Sequence, residues 1–357
     1  MSNKNLLSGR DKELQELAEQ YEAAMSENKP FYQDADELAD LADWYGTKKR
    51  YDKAFEIAEY GLKLHPDSTE LMIEYAYLHL DNGKKAKARE IIENLPDTYS
   101  PEAKVVRAHL LLSEGKLDDA EQLLDTIEDK ADLANVVDVS YMYLDMGYPD
   151  KALAWLDPVK EEYSDEEAYI AVVADCLYGK GMTEEAIPLY NRLIDMNPYS
   201  APYWFGLARC HFEEMNFNQA IDACDYALVG DDEFADAYVM KGHCFYQLGN
   251  EDAALEYYQK AEELHGLAPE FIYTYIGLCK VSKGEWKEGY ENLEKAILEN
   301  ETDEIASPIL PSLYANAGLC LSKMGKKRKA HQYCKKAHKL SPEEPESLLI
   351  EGRIYIE

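Results

Sequence analysis

The sequence predicts an all-α fold, a right-handed superhelical solenoid of antiparallel helix pairs with about nine repeats. Three observations predict it. A small residue, a glycine seven positions later and an alanine five positions after that recur along the chain. The last members of these triplets lie 34, 32, 32, 34, 34, 34, 35 and 41 residues apart. At 357 residues the chain also exceeds the length over which one hydrophobic core keeps growing, so a repeat array or several domains is expected.

Residues 1–34 read as an N-terminal helical cap and 35–344 as the array. Its first unit holds Ala42 and Ala54, with Lys49 where glycine is expected. The units that follow carry Ala76, Gly83 and Ala88, then Ala108, Gly115 and Ala120, then Ser140, Gly147 and Ala152. Next come Ala174, Gly181 and Ala186, Ala208, Met215 and Ala220, and Gly242, Gly249 and Ala254. Gly277, Gly284 and Gly289, then Gly318, Gly325 and Ala330, complete the set. Helices that cross at about 8–10 Å leave no room for bulk at the crossing, which explains the small residues. The intervening glycine ends the first helix in a left-handed cap. Acidic or hydroxyl residues such as Asp118, Asp119, Thr183 and Glu184 suit the next helix start.

Two places depart from regularity. Pro158 lies inside the second helix of the fourth unit and predicts a kink or early stop near 157–158, dividing 35–166 from 167–344. Residues 345–357 read as the first helix of an incomplete tenth repeat, with Gly352 and Tyr355 at its anchor and aromatic places. Leu348, Leu349, Ile350, Ile354, Tyr355 and Ile356 cover more of that helix than one buried stripe. Either a longer array or a second copy is expected to cover it.

The spacing resembles the tetratricopeptide-repeat (TPR) family over residues 35 to 344. Trp204-Phe205-Gly206-Leu207-Ala208 with Ala220 and Ala227 carries the likeness, as does Ala186-Ile187-Pro188-Leu189-Tyr190 ending at Pro198. The resemblance implies a protein-interaction scaffold whose first helices line a concave groove. One subclass of the family grips chaperone tails with a Lys, Asn and Arg clamp. The matching places here hold Phe205, Arg209, Met240 and Thr274, which disfavours that ligand.

The resemblance also implies which side chains face the groove. The ninth place of successive units holds Asp43, Tyr77, His109, Tyr141, Asp175, Arg209, His243, Leu278 and Leu319. The twelfth gives Tyr178, Phe212 and Tyr246, and the fifth gives Phe205 and Val239. Aromatic rings with isolated polar groups suit recognition of a peptide, because Tyr, Trp and Arg dominate interface energetics. The candidate partner-binding groove is therefore Tyr77, His109, Tyr141, Asp175, Tyr178, Phe205, Arg209, Phe212, His243 and Tyr246.

Charge narrows the partners. The formal net charge is −33, a field that repels nucleic acid and anionic lipid, so neither is expected. Against that background, 323–340 contains eight Lys or Arg and no acid. Lys326, Lys327, Arg328, Lys329, Lys335 and Lys336 form a candidate docking patch, for which the acidic first unit of another copy (Asp34, Asp36, Glu37, Asp40, Asp43) is one occupant. Self-association through the C-terminal end follows as an expectation.

Catalysis is not expected. Cys176, Cys210, Cys244, Cys279 and Cys320 share one repeat place and Cys224 and Cys334 another, a spacing that suits buried packing rather than a disulfide or shared metal. There is no CxxC pair and no phosphate-cradling glycine loop, so no cofactor and no metal are expected. The start carries no secretory signal and no stretch reaches bilayer length, which reads as cytoplasmic. The function expected is a protein–protein interaction scaffold. Two rivals are a substrate-recruiting arm of a longer enzyme and a peptide-sensing regulator.

Overall fold

The computed structural model describes residues 11–264, 268–300, 308–342 and 352. It divides into two compact units, Met1–Glu214 and Met215–Glu357.

In the first unit α1 (Asp11–Ser26) precedes α2 (Ala35–Thr47) and α3 (Tyr51–Leu64), then α4 (Thr69–Asp81) and α5 (Lys85–Glu93). The pairs α6 (Pro101–Ser113) with α7 (Leu117–Leu124) and α8 (Leu133–Asp145) with α9 (Pro149–Leu156) follow. After α9 come a 3-10 turn (Asp157–Val159) and the one-turn α10 (Lys160–Tyr163). The pair α11 (Glu167–Gly179) and α12 (Thr183–Met196), and then α13 (Ala201–Glu213), complete this unit. The second unit holds α14 (Phe217–Gly230), α15 (Ala235–Gln247) with α16 (Glu251–Glu263), and α17 (Pro269–Ser282) with α18 (Trp286–Asn300). It ends with α19 (Leu310–Lys323) and α20 (Lys327–Leu340). Among the described residues all regular structure is helical.

Each pair is closed by the same turn. At the end of α6, Gly115 takes φ +75°, its N–H donates to Leu112 O at 2.8 Å, and the next N–H, of Lys116, reaches Leu111 O at 2.9 Å. These bonds satisfy carbonyls that the helix end leaves open. Gly83, Gly147, Gly181, Gly249, Gly284 and Gly325 adopt φ between 69° and 77° at the same repeat place. Lys49 (φ 58°) and Met215 (φ 59°) adopt the same conformation without glycine's freedom. At Lys49 the bonds persist, to Gly46 O and from Arg50 N to Tyr45 O, both at 2.9 Å.

The small anchors lie where helices meet. Ala42, Ala76, Ala108, Ala174 and Ala208 are fully buried, as are Ala54, Ala88, Ala120, Ala152 and Ala186. Ser140 is also buried at its crossing, and its hydroxyl donates to Ala152 O at 3.2 Å. Gly206 admits the buried Tyr190 ring and Gly242 the Tyr258 ring, each so closely that a Cβ would overlap the aromatic carbons. Within the units, each helix packs on its partner and on the following pair, as α4 does on α5 and α6 and α17 does on α18 and α19.

Near Pro158, α9 stops at Leu156 and gives way to the 3-10 turn before helix resumes at Lys160. Leu156 and Val159 are both buried in a cluster that runs from Val105 to Cys176. The core is therefore continuous across the break in backbone hydrogen bonding. The expected lone helix over 345–357 lies, apart from Gly352, outside the described residues.

Candidate functional site

The first helices of the successive pairs in the first unit are α2, α4, α6, α8, α11 and α13, and each packs on the next. A residue at the same place on successive first helices recurs once per repeat, so equivalent side chains line up into rows.

The ninth-place row forms contacts from repeat to repeat. Tyr77 and His109 pack edge to face at 5.7 Å, and each is only 8 % exposed. Tyr141, half-buried, donates its hydroxyl to Asp175 Oδ2 at 3.4 Å. Arg209 Nη2 donates to Asp175 Oδ1 at 2.7 Å and to Tyr190 Oη at 3.3 Å. The Tyr190 hydroxyl donates to the same Oδ1 at 2.6 Å. The Arg209 guanidinium also lies over the rings of Tyr178 at 4.4 Å and Phe205 at 5.5 Å. Asp175 is thus the acceptor for three donors drawn from α8, α12 and α13. Burial opposes the Arg209 charge, but Asp175 with Tyr190 and Tyr178 outweighs it and holds the group firmly ionised. Burial, reinforced by Asp175, pushes the Tyr141 and Tyr190 hydroxyls far above their usual range, so both remain donors.

The structure therefore brings together Tyr141, Asp175, Tyr178, Phe205 and Arg209, and packs Tyr77 and His109 against each other. Phe212 is half-buried further along α13. In the second unit, His243 Nδ1 shares a hydrogen bond with the Tyr258 hydroxyl at 2.8 Å, and its ring meets Tyr275 at 4.5 Å. Tyr246, half-buried, borders the cluster of Ala254, Leu255, Tyr258 and Cys279. Burial lowers the pKa of His109 and of His243 to about 4, so both are neutral rings near pH 7. The basic residues Lys326, Lys327, Arg328, Lys329, Lys335 and Lys336 are all exposed, on α20 or at its start.

A feature missed by reading residues at the fifth, ninth and twelfth places alone is the density of carboxylates around these rings. The second place holds Asp36, Glu70 and Glu102, the sixth Asp40, Glu74 and Asp138, and the thirteenth Asp81 and Asp145. Reading those places along the chain would have found it. Asp36, Asp40, Asp43, Glu70, Glu74, Asp97 and Glu102 line a cleft of about 300 Å³ where α2, α4 and the start of α6 converge. Deeper in the row, Asp138, Glu74, Asp145 and Asp81 all act on the buried Tyr77 hydroxyl. Desolvation by the surrounding protein, then repulsion from Asp81 and Asp175, lifts the Asp145 carboxyl to about 6. Desolvation raises Asp81 as well. A face of this kind holds aromatic surface and negative potential together.

All seven cysteines are free and buried, and burial pushes the thiols of Cys176, Cys210, Cys244, Cys279 and Cys320 up to about 12. Among the described residues no group of three or more His, Cys, Asp or Glu is disposed to hold a metal ion. No helix among them is long and apolar enough to cross a membrane.

Stacked helix pairs with a left-handed turn at each hairpin and small residues at each crossing define a helix-pair repeat protein. The tetratricopeptide-repeat family models match residues 47–108 and 311–344, and the model of anaphase-promoting complex, cyclosome, subunit 3 matches 179–261. The chain belongs to the tetratricopeptide-repeat family and is, in that general sense, a protein-interaction scaffold. Its fold is similar to the crystal structure of the APC/C hetero-tetramer Cut9–Hcn1, with TM-score 0.52 and 19 % identity over 96 % of this chain and 75 % of that one. It is also similar to pilF of Pseudomonas aeruginosa, with TM-score 0.53 and 14 % identity over 63 % of this chain and 98 % of that one. No curated protein matches the chain.

Proposed function

We propose that the chain is a non-catalytic scaffold that holds a basic segment of a partner polypeptide along the inner helix face of its first unit. The observation that carries this reading is the Tyr141–Asp175–Arg209 row. It links three successive repeats and is fixed by Tyr190, Tyr178 and Phe205. Side chains already locked in place lose little entropy when a ligand arrives, which favours binding over rearrangement. Because Arg209 is already committed to Asp175, the face keeps its negative potential, supplied by Glu74, Asp81, Asp138 and Asp145. Lysine and arginine of a partner would meet those carboxylates, and its apolar side chains the half-buried rings. Nucleic acid and anionic membrane do not fit this charge. Seven buried free thiols accord with a reducing, cytoplasmic setting.

Peptide display against the immobilised chain tests the reading. Enriched peptides should be rich in Lys and Arg with interspersed apolar residues. Asp81→Lys with Asp145→Lys should weaken them by about tenfold or more. Tyr178→Ala should weaken them with the carboxylates intact. Enrichment of acidic peptides, or binding that ignores all three substitutions, would overturn it.

A further inference from the structure

We propose that copies of this chain associate head to tail, the basic outer stripe of α20 in one copy seating in the acidic cleft of α2, α4 and α6 in the next. This goes beyond the ligand reading above and does not depend on it.

The stripe follows from helical geometry. At 100° per residue, Arg328, Lys335 and Lys339 fall within roughly 40° of one another. The buried residues Ala330, Cys334 and Ala337, which pack α20 onto its own unit, lie on the opposite side of the helix. The three cations are therefore directed away from that seam, and all three are exposed. Lys336 is turned onto the flank, where its Nζ donates to the Tyr314 hydroxyl at 3.0 Å, and Lys329 stands 3.4 Å from Glu294. These two are occupied within the unit, whereas the stripe is presented outward as a convex ridge.

The cleft is its complement in shape and sign. It is concave, holds about 300 Å³, and gathers carboxylates from three elements, among them the exposed Asp36 and Glu70. A concavity lined by one sign of charge focuses its potential, which draws cations toward it. The occupant is identified by the chain itself. With 70 acidic against 37 basic residues, 323–340 is a stretch with eight cations and no acid. Ridge and cleft are different surfaces, so the contact repeats from copy to copy and builds a ring or a chain.

The salt dependence has a distinctive form. Copies carrying −33 repel one another at long range, and this repulsion is screened beyond about 10 Å at 0.1 M salt. Contact pairs survive that screening but weaken near 1 M, where the screening length is about 3 Å. Association should therefore peak at intermediate salt.

Sedimentation velocity of the full chain over a range of concentrations tests this. The mean mass should rise with concentration near about 0.1 M salt and return to monomer near about 1 M. Arg328→Glu, Lys335→Glu and Lys339→Glu together should raise the dissociation constant by about tenfold or more, and Asp36→Lys with Glu70→Lys should do the same. Mixing these two variants should restore association between unlike copies, because the intact ridge of the cleft variant meets the intact cleft of the ridge variant. The milder pair Asp36→Asn and Glu70→Gln, with circular dichroism to verify helix content, reads the cleft should the lysine pair misfold, and should give an intermediate loss. A wild-type chain that stays monomeric throughout overturns the proposal. So does an unaffected ridge variant, a neutral cleft pair as strong as wild type, or a mixture of folded reversed variants that fails to associate.

Discussion

Asp145 shows how a single carboxylate makes stability depend on pH. Although Asp145 is open to solvent on one side, desolvation by the protein packed around it, with Asp81 and Asp175, lifts its folded pKa to about 6, above the ordinary value of 3.8. The folded state then binds the proton more tightly than the unfolded state does, so the penalty of the charged form is present above about pH 6 and is relieved as pH falls through that value. Asp145→Asn should therefore raise the melting temperature near pH 7 and lose that advantage near pH 4, where wild type is also neutral. Thermal melts of both chains at the two pH values check this, and an equal gain at both would contradict it. Met215 carries strain of another kind. It adopts φ 59°, a left-handed conformation that L residues avoid, and its side chain is 74 % exposed. Met215→Gly should stabilise by about 0.5–1 kcal/mol, the relief of strain exceeding the extra freedom of the unfolded chain. A urea midpoint that falls or stays constant would count against it.

At the scale of the helix and the hairpin, the repeat pattern was legible and the detail was not. Lys49 and Met215 were recognised as turn residues by spacing alone, and both hold the left-handed conformation that glycine holds elsewhere. Position in a repeat prevails over residue type there, because the hairpin's packing on both sides dictates the turn. Pro158 ends α9 at Leu156, as a missing N–H requires, yet a pattern read along one helix could not reveal that Leu156 and Val159 share a core across the break. The same limit applies to the site. Ninth-place residues are read from the sequence as a row open to a ligand, but Tyr77 and His109 are buried with their rings against each other, and Arg209 is bound to Asp175, thirty-four residues away. The anchors themselves admit a direct test. Ala254 on α16 is fully buried in the cluster of Leu255, Tyr258 and Cys279. Ala254→Leu should cost about 1–3 kcal/mol by overpacking. Hydrogen exchange should quicken in α15–α17 and hold in α2–α6, since stability in a repeat array is a sum over neighbours. Uniform loss of protection along the chain would contradict that locality.

Over the whole molecule, the repeated turn from Gly83 to Gly325 has a mechanical consequence. Within each unit, helices hold onto their neighbours in sequence, so a force applied at the two ends loads the hairpins in series rather than through one shared core. The turns at Gly83, Gly115, Gly147 and Gly181 are 32–34 residues apart, and each hairpin released would lengthen the tether by about 110 Å at full extension. Stretching a single molecule should give a train of small, nearly equal lengthening steps at low force, in place of one large rupture. Reeling back should retrace them, because each hairpin refolds on a neighbour that is still intact. A chain of this design would give way by degrees under load, as an extensible spring does, and recover its length when the load is removed.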